Sequence, residues 1–199
     1  MNTKNKKLIY GVGINDADYA TQPKINGKRI VCPYYQVWVN MIKRCYSKKS
    51  LGVDASYIGC SVAKEWHSFM TFKRWMEAQN WKDKQLDKDI ISAGNKIYSP
   101  QACVFVSQQT NSFFSSKTAR RGKYPHGIYF HKLKRKFQAK IYKFGKQKSL
   151  GYFKTAEKAS AAYREAKRLH ILTIACCEPD IRVKQGLYRH SELLREKEL

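Results

Sequence analysis

Apolar residues in the first part of the chain recur with helical spacing in two segments, 34–46 and 66–79. Within each segment they stand three or four positions apart, which places them on one face of an α-helix. They are Trp38, Met41, Ile42 and Cys45 in the first segment and Phe69, Phe72 and Met76 in the second. Because a helix buries such a face against a core, the pattern predicts two packed helices and no further role for these side chains.

A shorter series of elements follows. The segments 86–91 and 103–106 predict strands, and the Gly and Asn residues of 93–96 predict a turn between them. Ser107 comes directly after the second strand and belongs to the residue types preferred at a helix N-cap. We therefore expect a strand, a loop, a second strand and a short helix over 108–114.

The second part of the chain predicts a three-stranded sheet backed by a helix. The strands are expected at 126–131, 137–142 and 147–153. The middle strand alternates with period two, so Phe137, Ala139 and Ile141 share one face.

A helix over 156–169 follows the sheet, with Thr155 as its N-cap. Its small-residue face would let the helix lie close to the sheet and consists of Ala159, Ala162, Tyr163 and Ala166. The tail, 180–196, predicts a last helix with apolar Leu187, Leu193 and Leu194. The expected fold class is α+β.

Charge is concentrated in the second part. The net charge is +24, and residues 117–168 alone carry 17 Lys+Arg against 2 Asp+Glu. Such a footprint favours a nucleic acid as partner. An anionic membrane surface is the alternative, but the cations lie among strand-forming aromatics and no apolar run approaches the length of a membrane span. Neither a membrane nor a small-molecule substrate is expected as partner, and the oligomeric state stays open.

The six cysteines form no CxxC pair and no ordered ladder with histidines. Zinc modules need such spacing, so no zinc is expected. Reduced thiols in a cytoplasmic protein are the simpler interpretation.

The segment 117–125 is rich in basic residues and contains Gly122 and Pro125, which favours a linker. It divides the chain into a first domain, 1–116, a sheet domain, 126–172, and a helical tail, 173–199.

The sheet domain presents the stronger candidate binding surface. Cations pair with phosphates, while Gln and Arg reach base edges, so a sheet face with these residues suits duplex DNA. The candidate DNA-binding residues, on or beside the outward positions of the strands, are Tyr129, His131, Lys132, Lys134, Arg135, Gln138, Lys140, Tyr142, Lys146 and Lys148.

Several segments of this domain resemble the AP2/ERF DNA-binding domain, in register over most of its length. They are Gly127-Ile-Tyr, the alternating Phe137 to Ile141, Leu150-Gly151-x-Phe153-x-Thr155-x-Glu157-x-Ala159, and Ala162-Tyr163-x-x-Ala166. The resemblance implies an antiparallel sheet backed by one helix, docked in the major groove of double-stranded DNA. Members of the family often contact bases with Arg and Trp, whereas Lys, Tyr and Gln prevail here.

The strand–loop–strand–helix of the first domain is similar to the ββα-metal (HNH) core of phage homing endonucleases. The resemblance is carried by Leu86-Asp87-Lys88-Asp89, Asn95-Lys-Ile-Tyr-Ser-Pro100, Cys103-Val-Phe105 and Asn111. Phage HNH proteins frequently carry an AP2 domain after the nuclease, in the order found here. The resemblance thus implies a phage protein acting in the cytoplasm of its host.

Phosphodiester hydrolysis by such a core requires a divalent metal and a base that activates water. The resemblance assigns the metal, Mg²⁺ or another divalent cation, to Asp87 and Asn111, since oxygen ligands suit Mg²⁺. The family's catalytic His falls at Lys88 and the middle Asn of its motif at Ala102. Lys88 or Asp89 would then position phosphate or water.

Two hypotheses follow. The first is a metal-dependent endonuclease that cleaves duplex DNA to which the AP2-like sheet binds. The second is a non-catalytic DNA-binding or regulatory protein whose HNH core survives as a scaffold after losing its His.

Overall fold

The computed structural model describes residues 8–53, 55–114 and 123–196. The chain divides into two compact units, with the boundary between Phe114 and Ser115. Both helices and strands occur, so the fold is of the α+β class. Residues 117–122 of the predicted linker lie outside the described residues. Among the described helices, none is long and apolar enough to cross a membrane.

The first unit consists of short elements. Its helices are α1 (Pro33–Tyr46), α2 (Lys48–Val53), α3 (Phe69–Glu77) and α4 (Gln108–Phe114), and 3-10 turns cover Ala55–Tyr57 and Lys64–His67. Its strands are β1 (Lys24–Ile25), β2 (Lys28–Arg29), β3 (Ser61–Val62), β4 (Gln85–Asp87), β5 (Ile97–Tyr98) and β6 (Val104–Val106). They pair as three small sheets: β1 with β2 and β4 with β6, both antiparallel, and β3 with β5, parallel.

The core of this unit is aromatic, as the helical spacing predicted. Trp38 of α1 and Phe69 of α3 are fully buried, with ring centroids 5.5 Å apart. The Trp38 indole N–H donates to the carbonyl of Trp66 at 2.7 Å. The first predicted helix is confirmed, whereas the second begins at Phe69 rather than at 66. Ser68 is its N-cap and accepts a hydrogen bond from the backbone N–H of Thr71, so the preceding turn stays separate.

The two predicted strands and the short helix are present, with two corrections. The loop between the strands contains strand β5, which pairs with β3. Strand β4 ends at Asp87 instead of 91, because the Asp87 carboxylate accepts the backbone N–H groups of Asp89 and Ile90 and turns the chain. Ser107 caps α4 as expected, accepting from the N–H of Thr110 at 3.0 Å.

The second unit contains an antiparallel sheet in the order β7 (Ile128–His131), β8 (Lys136–Lys143), β9 (Lys146–Phe153), with helix α5 (Ala156–Cys177) packed against it. Buried Ala139 of the central strand and Ala159 of α5 belong to one small core. Thr155 caps α5, as predicted. The helix continues to Cys177, past its predicted end at 169 and past the domain boundary placed at 172.

The last helix, α6 (Ile181–Glu196), packs against α5. Val183 and Leu187 are buried on α6, and Ile171 and Ala175 are buried on α5. Leu193, predicted to pack, is 48% exposed. The tail therefore belongs to the same unit as the sheet.

Candidate functional site

The outer face of the three-stranded sheet is defined by its register. Gln138 of β8 stands opposite Tyr129 on one side and Tyr152 on the other. Residues directly opposite each other in a sheet share a face, so these three side chains form one row across the strands. The adjacent Ala139 is buried on the face that α5 covers. We call the face that carries this row the outer face.

The row is joined by polar and cation–π contacts. The Gln138 side-chain amide donates to the hydroxyls of Tyr152 and Ser149, each at 3.2 Å. The Lys134 ammonium lies 3.9 Å from the centroid of the Tyr152 ring, and the Lys140 ammonium lies 5.7 Å from that of Tyr129. These contacts hold two cations above aromatic rings on the outer face.

Further predicted binding residues extend this face. Tyr142 is 67% exposed, and its hydroxyl donates to the carbonyl of Gly145 at 2.7 Å. The His131 ring lies 5.3 Å from the Tyr152 ring. Lys132 and Arg135 belong to the exposed turn between β7 and β8, where the N–H of Arg135 donates to the carbonyl of Lys132.

A β-bulge places the last two predicted residues differently. The register of β9 shifts between the partners of Ala139 and Lys140, leaving Leu150 as the additional residue. Beyond the bulge, Lys148 stands opposite the buried Ile141, and Lys146 stands opposite Lys143. Both therefore project toward the helix side of the sheet and not from the outer face.

The bulge also explains which residues were missed. Ser149 and Tyr152 are three positions apart, yet both contact Gln138 on the outer face. Strict alternation assigns such a pair to opposite faces. Gly151, with φ of +120°, was the available signal, because glycine within a strand often marks a bulge.

The charge of the sheet is of one sign. Residues 123–155 contain ten Lys and Arg residues and no Asp or Glu, and the first acidic residue after them is Glu157 in α5. Cations concentrated in one segment with no acid between them raise the local positive potential and attract polyanions.

The second candidate site lies at the end of β4 in the first unit. Asp87 is buried, and its Oδ1 accepts the N–H groups of Asp89 and Ile90 at 2.9 and 2.8 Å. Burial raises the pKa of Asp87, and the two backbone hydrogen bonds oppose that rise.

Helix α4 brings the other predicted metal ligand to this strand. The Asn111 side-chain amide donates to Oε1 of Gln85 at 2.6 Å. Gln85 precedes Asp87 by two positions in β4, so the two side chains project from the same face of the strand. The fold thus places Asp87 and Asn111 on one side of the β4–β6 pair.

Lys88 is engaged inside the protein. It is 5% exposed, and its ammonium donates to Asp89 at 2.6 Å and to the carbonyl of Asn95 at 2.8 Å. The Asn95 side chain in turn donates to the carbonyl of Lys88 at 2.9 Å. This pairing closes the loop after β4 and directs the ammonium away from solvent.

His67 contacts the backbone of the first unit and not Asp87. Its Nε2 lies 3.1 Å from the carbonyl of Val62, beside β3. Within the described ranges, no three His, Cys, Asp or Glu side chains gather as a metal-binding group.

Comparison with known proteins found no matching family model, no matching curated protein and no matching solved structure.

Proposed function

We propose that the protein binds duplex DNA through the outer face of its three-stranded sheet. The observation that carries this proposal is that residues 123–155 contain ten cations and no acidic residue, and that the sheet within this segment exposes tyrosines on its outer face. Phosphate contacts from Lys and Arg supply most of the affinity in such complexes, and side chains that reach base edges supply the sequence preference.

The outer face divides these two tasks. Lys134 and Lys140 are point charges suited to phosphates, and their contacts with tyrosine rings position them over the face. Gln138 and Arg135 are the candidates for base contact, because both can form paired hydrogen bonds with base edges. Gln138 would exchange its bonds to Ser149 and Tyr152 for bonds to a base.

Hydrolysis of the bound DNA is the activity proposed for the first unit. Asp87 and Asn111 supply the hard oxygen ligands that Mg²⁺ prefers. The bond from the Asn111 amide nitrogen to Gln85 fixes that side chain and leaves its carbonyl oxygen as the metal ligand. Both hydrogen bonds of the Asp87 carboxylate end on Oδ1, which leaves Oδ2 for the cation. The residues therefore fit a divalent cation, which would neutralise charge on the phosphate.

A non-catalytic DNA-binding protein is the second candidate, and Lys88 favours it. A general base must reach the proton that it abstracts, and this ammonium is buried between Asp89 and the Asn95 carbonyl. On this view the β4–β6–α4 elements are a scaffold, and the protein acts by occupying DNA.

Incubation with supercoiled DNA and Mg²⁺ or Mn²⁺ separates the two candidates. Asp87→Asn is the informative variant, because an Asn oxygen can still accept the N–H groups of Asp89 and Ile90 while the charge on the metal ligand is lost. The matched control is Asp83→Asn, the same change at an exposed position. We expect nicking by the wild type and by the control, and none by Asp87→Asn.

Absence of nicking by the wild type, or equal nicking by Asp87→Asn, would reject the nuclease and favour the scaffold. The double variant Lys88→His, Ala102→Asn then tests for a lapsed site, since restoring the residues of the resembling motif should produce cleavage. Neither outcome affects the proposal of DNA binding, which is measured separately by the affinity for duplex DNA.

A further inference from the structure

The turn between β7 and β8 projects a leucine from a cluster of cations. Leu133 is 94% exposed, more than any other large apolar side chain in the part of the chain that the structure describes. The residues on either side of it are Lys132, Lys134, Arg135 and Lys136. An apolar tip surrounded by positive charge suits a partner that has both phosphates and stacked bases, as a nucleic acid does.

The turn is held in shape by its own contacts. The N–H of Arg135 donates to the carbonyl of Lys132 at 3.2 Å, and the N–H of Lys134 donates to Nδ1 of His131 at 3.3 Å. The Lys134 side chain extends back over the Tyr152 ring, 3.9 Å from its centroid. Leu133 is therefore presented by an ordered turn that is continuous with the outer face.

Other exposed apolar side chains of this unit differ from Leu133. Phe144, at the opposite hairpin turn, packs against the His170 ring at 4.9 Å. Leu169 and Leu193, on the helices, are each 48% exposed. A leucine that is half exposed on a helix is ordinary at a protein surface. A leucine that is almost fully exposed at a basic turn calls for a functional explanation.

We infer that Leu133 is a wedge that enters between stacked base pairs of bound duplex DNA and kinks it. This inference rests on the proposed function. Proteins that bind the minor groove frequently insert an apolar side chain between base steps and kink the duplex. Nearby cations bind the phosphates. Leu133 has the apolar side chain, and the neighbouring Lys132, Lys134 and Lys136 have the charges that would hold phosphates. The protein then favours sites that kink easily as well as sites with matching base edges.

The inference is tested with the full-length chain and two end-labelled duplexes of about 25 base pairs. One duplex has a single central TA step between A-tracts, and the other has an uninterrupted A-tract there, because TA steps kink readily and A-tracts are stiff. Energy transfer between the labelled ends reports the bend, and titration reports affinity. We expect the wild type to prefer the TA duplex and to bend it by roughly 20–90°.

Three variants separate a wedge from an exposed leucine without a role. Leu133→Ala should lose both the bend and the preference for the TA duplex. Leu133→Lys should lose them as well while retaining affinity, because the added charge contributes a further phosphate contact. Leu169→Ala is the matched control, the same truncation on α5, and should behave as the wild type.

Two other outcomes are possible, and each rejects a different part of the inference. Binding by the wild type without a bend, or an unchanged bend in Leu133→Ala or Leu133→Lys, rejects the wedge and leaves DNA binding intact. Absence of binding to any duplex rejects the proposed function, and the wedge with it.

Discussion

The Lys134 ammonium stands 3.9 Å above the centre of the Tyr152 ring, so the turn before β8 is linked to strand β9 across the outer face. Such a contact at an exposed site is worth roughly 0.5–1 kcal/mol. It positions a long and otherwise flexible side chain over the face on which we place the DNA.

Replacing Lys134 by Met removes this charge and keeps most of the side chain. We expect weaker binding to all duplex sequences alike, and a slope of log K against log salt that is smaller by about one unit. Lys148→Met is the matched control on the helix side of the sheet and should leave the slope nearly unchanged. Equal effects of the two replacements would show that charge alone matters, regardless of the face. Salt titrations with two unrelated duplexes provide the measurement.

Gly127 should be more sensitive to substitution than Gly145. An added Cβ would lie 2.4 Å from the Tyr163 ring and 2.7 Å from the carbonyl of Lys140, and the backbone φ is +80°. Gly145 has a similar φ of +76° and open space around it. Gly145→Ala should therefore cost about 1–2 kcal/mol of backbone strain. Gly127→Ala should add overpacking of roughly 1–3 kcal/mol to that strain.

Denaturant unfolding of the two glycine variants measures the difference, because they share the strain and differ in the collisions with the Tyr163 ring and the Lys140 carbonyl. Equal destabilisation would mean that both the Tyr163 ring and the Lys140 carbonyl move aside without penalty.

The periodic parts of the fold could be predicted from the sequence, because burial alone dictates them. Phe137, Ala139 and Ile141 alternate along β8 as a half-buried strand requires, and the aromatics of α1 and α3 follow the helical repeat. Departures from periodicity could not be predicted from the sequence and are seen only in the structure. The bulge at Leu150 reverses the face of Lys148, and the side chain of Asp87 ends β4 early by bonding its own backbone.

The sequence indicated which residues of the candidate sites to expect on which elements, but not the side-chain contacts that these residues make. The resemblance singled out Asp87 and Asn111, and the predicted strand and helix carry them at the end of β4 and on α4. Nothing in the spacing revealed that Lys88 is buried against Asn95, since that contact depends on how the loop closes.

Lys88→Met tests whether this lysine is structural. Its ammonium donates two short hydrogen bonds while nearly buried, and hydrogen bonds to charged groups contribute about 1.5–3 kcal/mol each. Because Asp89 is partly exposed, we expect the substitution to lower the free energy of unfolding by an amount in the lower part of that range. The affinity for duplex DNA should not change. A variant that folds with wild-type stability but binds DNA more weakly would instead place the ammonium on a phosphate.

Stability of the second unit should decrease in mild acid through His170. Burial lowers the pKa of this histidine below 6.5, and the Lys143 charge adds to the effect. Below pH 6.5 the unfolded chain therefore binds a proton at this histidine more readily than the folded chain does. The contribution of neutral His170 to stability is complete above pH 6.5 and decreases as the pH falls toward the pKa of the folded state. His170→Phe preserves an aromatic contact with Phe144 and removes the titration. Its melting temperature should therefore vary less between pH 7.5 and 5.5 than that of the wild type.

A further prediction concerns which part of the chain suffices for DNA affinity. A fragment of residues 115–199 contains the sheet, α5 and α6, and should bind duplex DNA without the first unit. Its salt slope should correspond to about five to eight phosphates. The fragment 1–114 should bind far more weakly, because its 17 Lys and Arg residues are interspersed with 8 Asp and Glu. Tighter binding by 1–114 would place the DNA surface on the other unit.

A fragment that ends at Cys177, and so lacks α6, should be less stable than the fragment 115–199. Removing α6 uncovers Ile171 and Ala175, both fully buried in the intact chain, and deletes their buried neighbours on α6, Val183 and Leu187. Fully burying one aliphatic side chain of this kind contributes about 1.5–3 kcal/mol. We therefore expect 115–177 to unfold at lower denaturant concentration than 115–199. Any loss of DNA affinity should disappear under conditions in which the shorter fragment is folded, because no cation of the outer face lies on α6. Circular dichroism and binding measured in parallel test this, and a folded 115–177 with weakened binding would show that α6 contacts DNA directly.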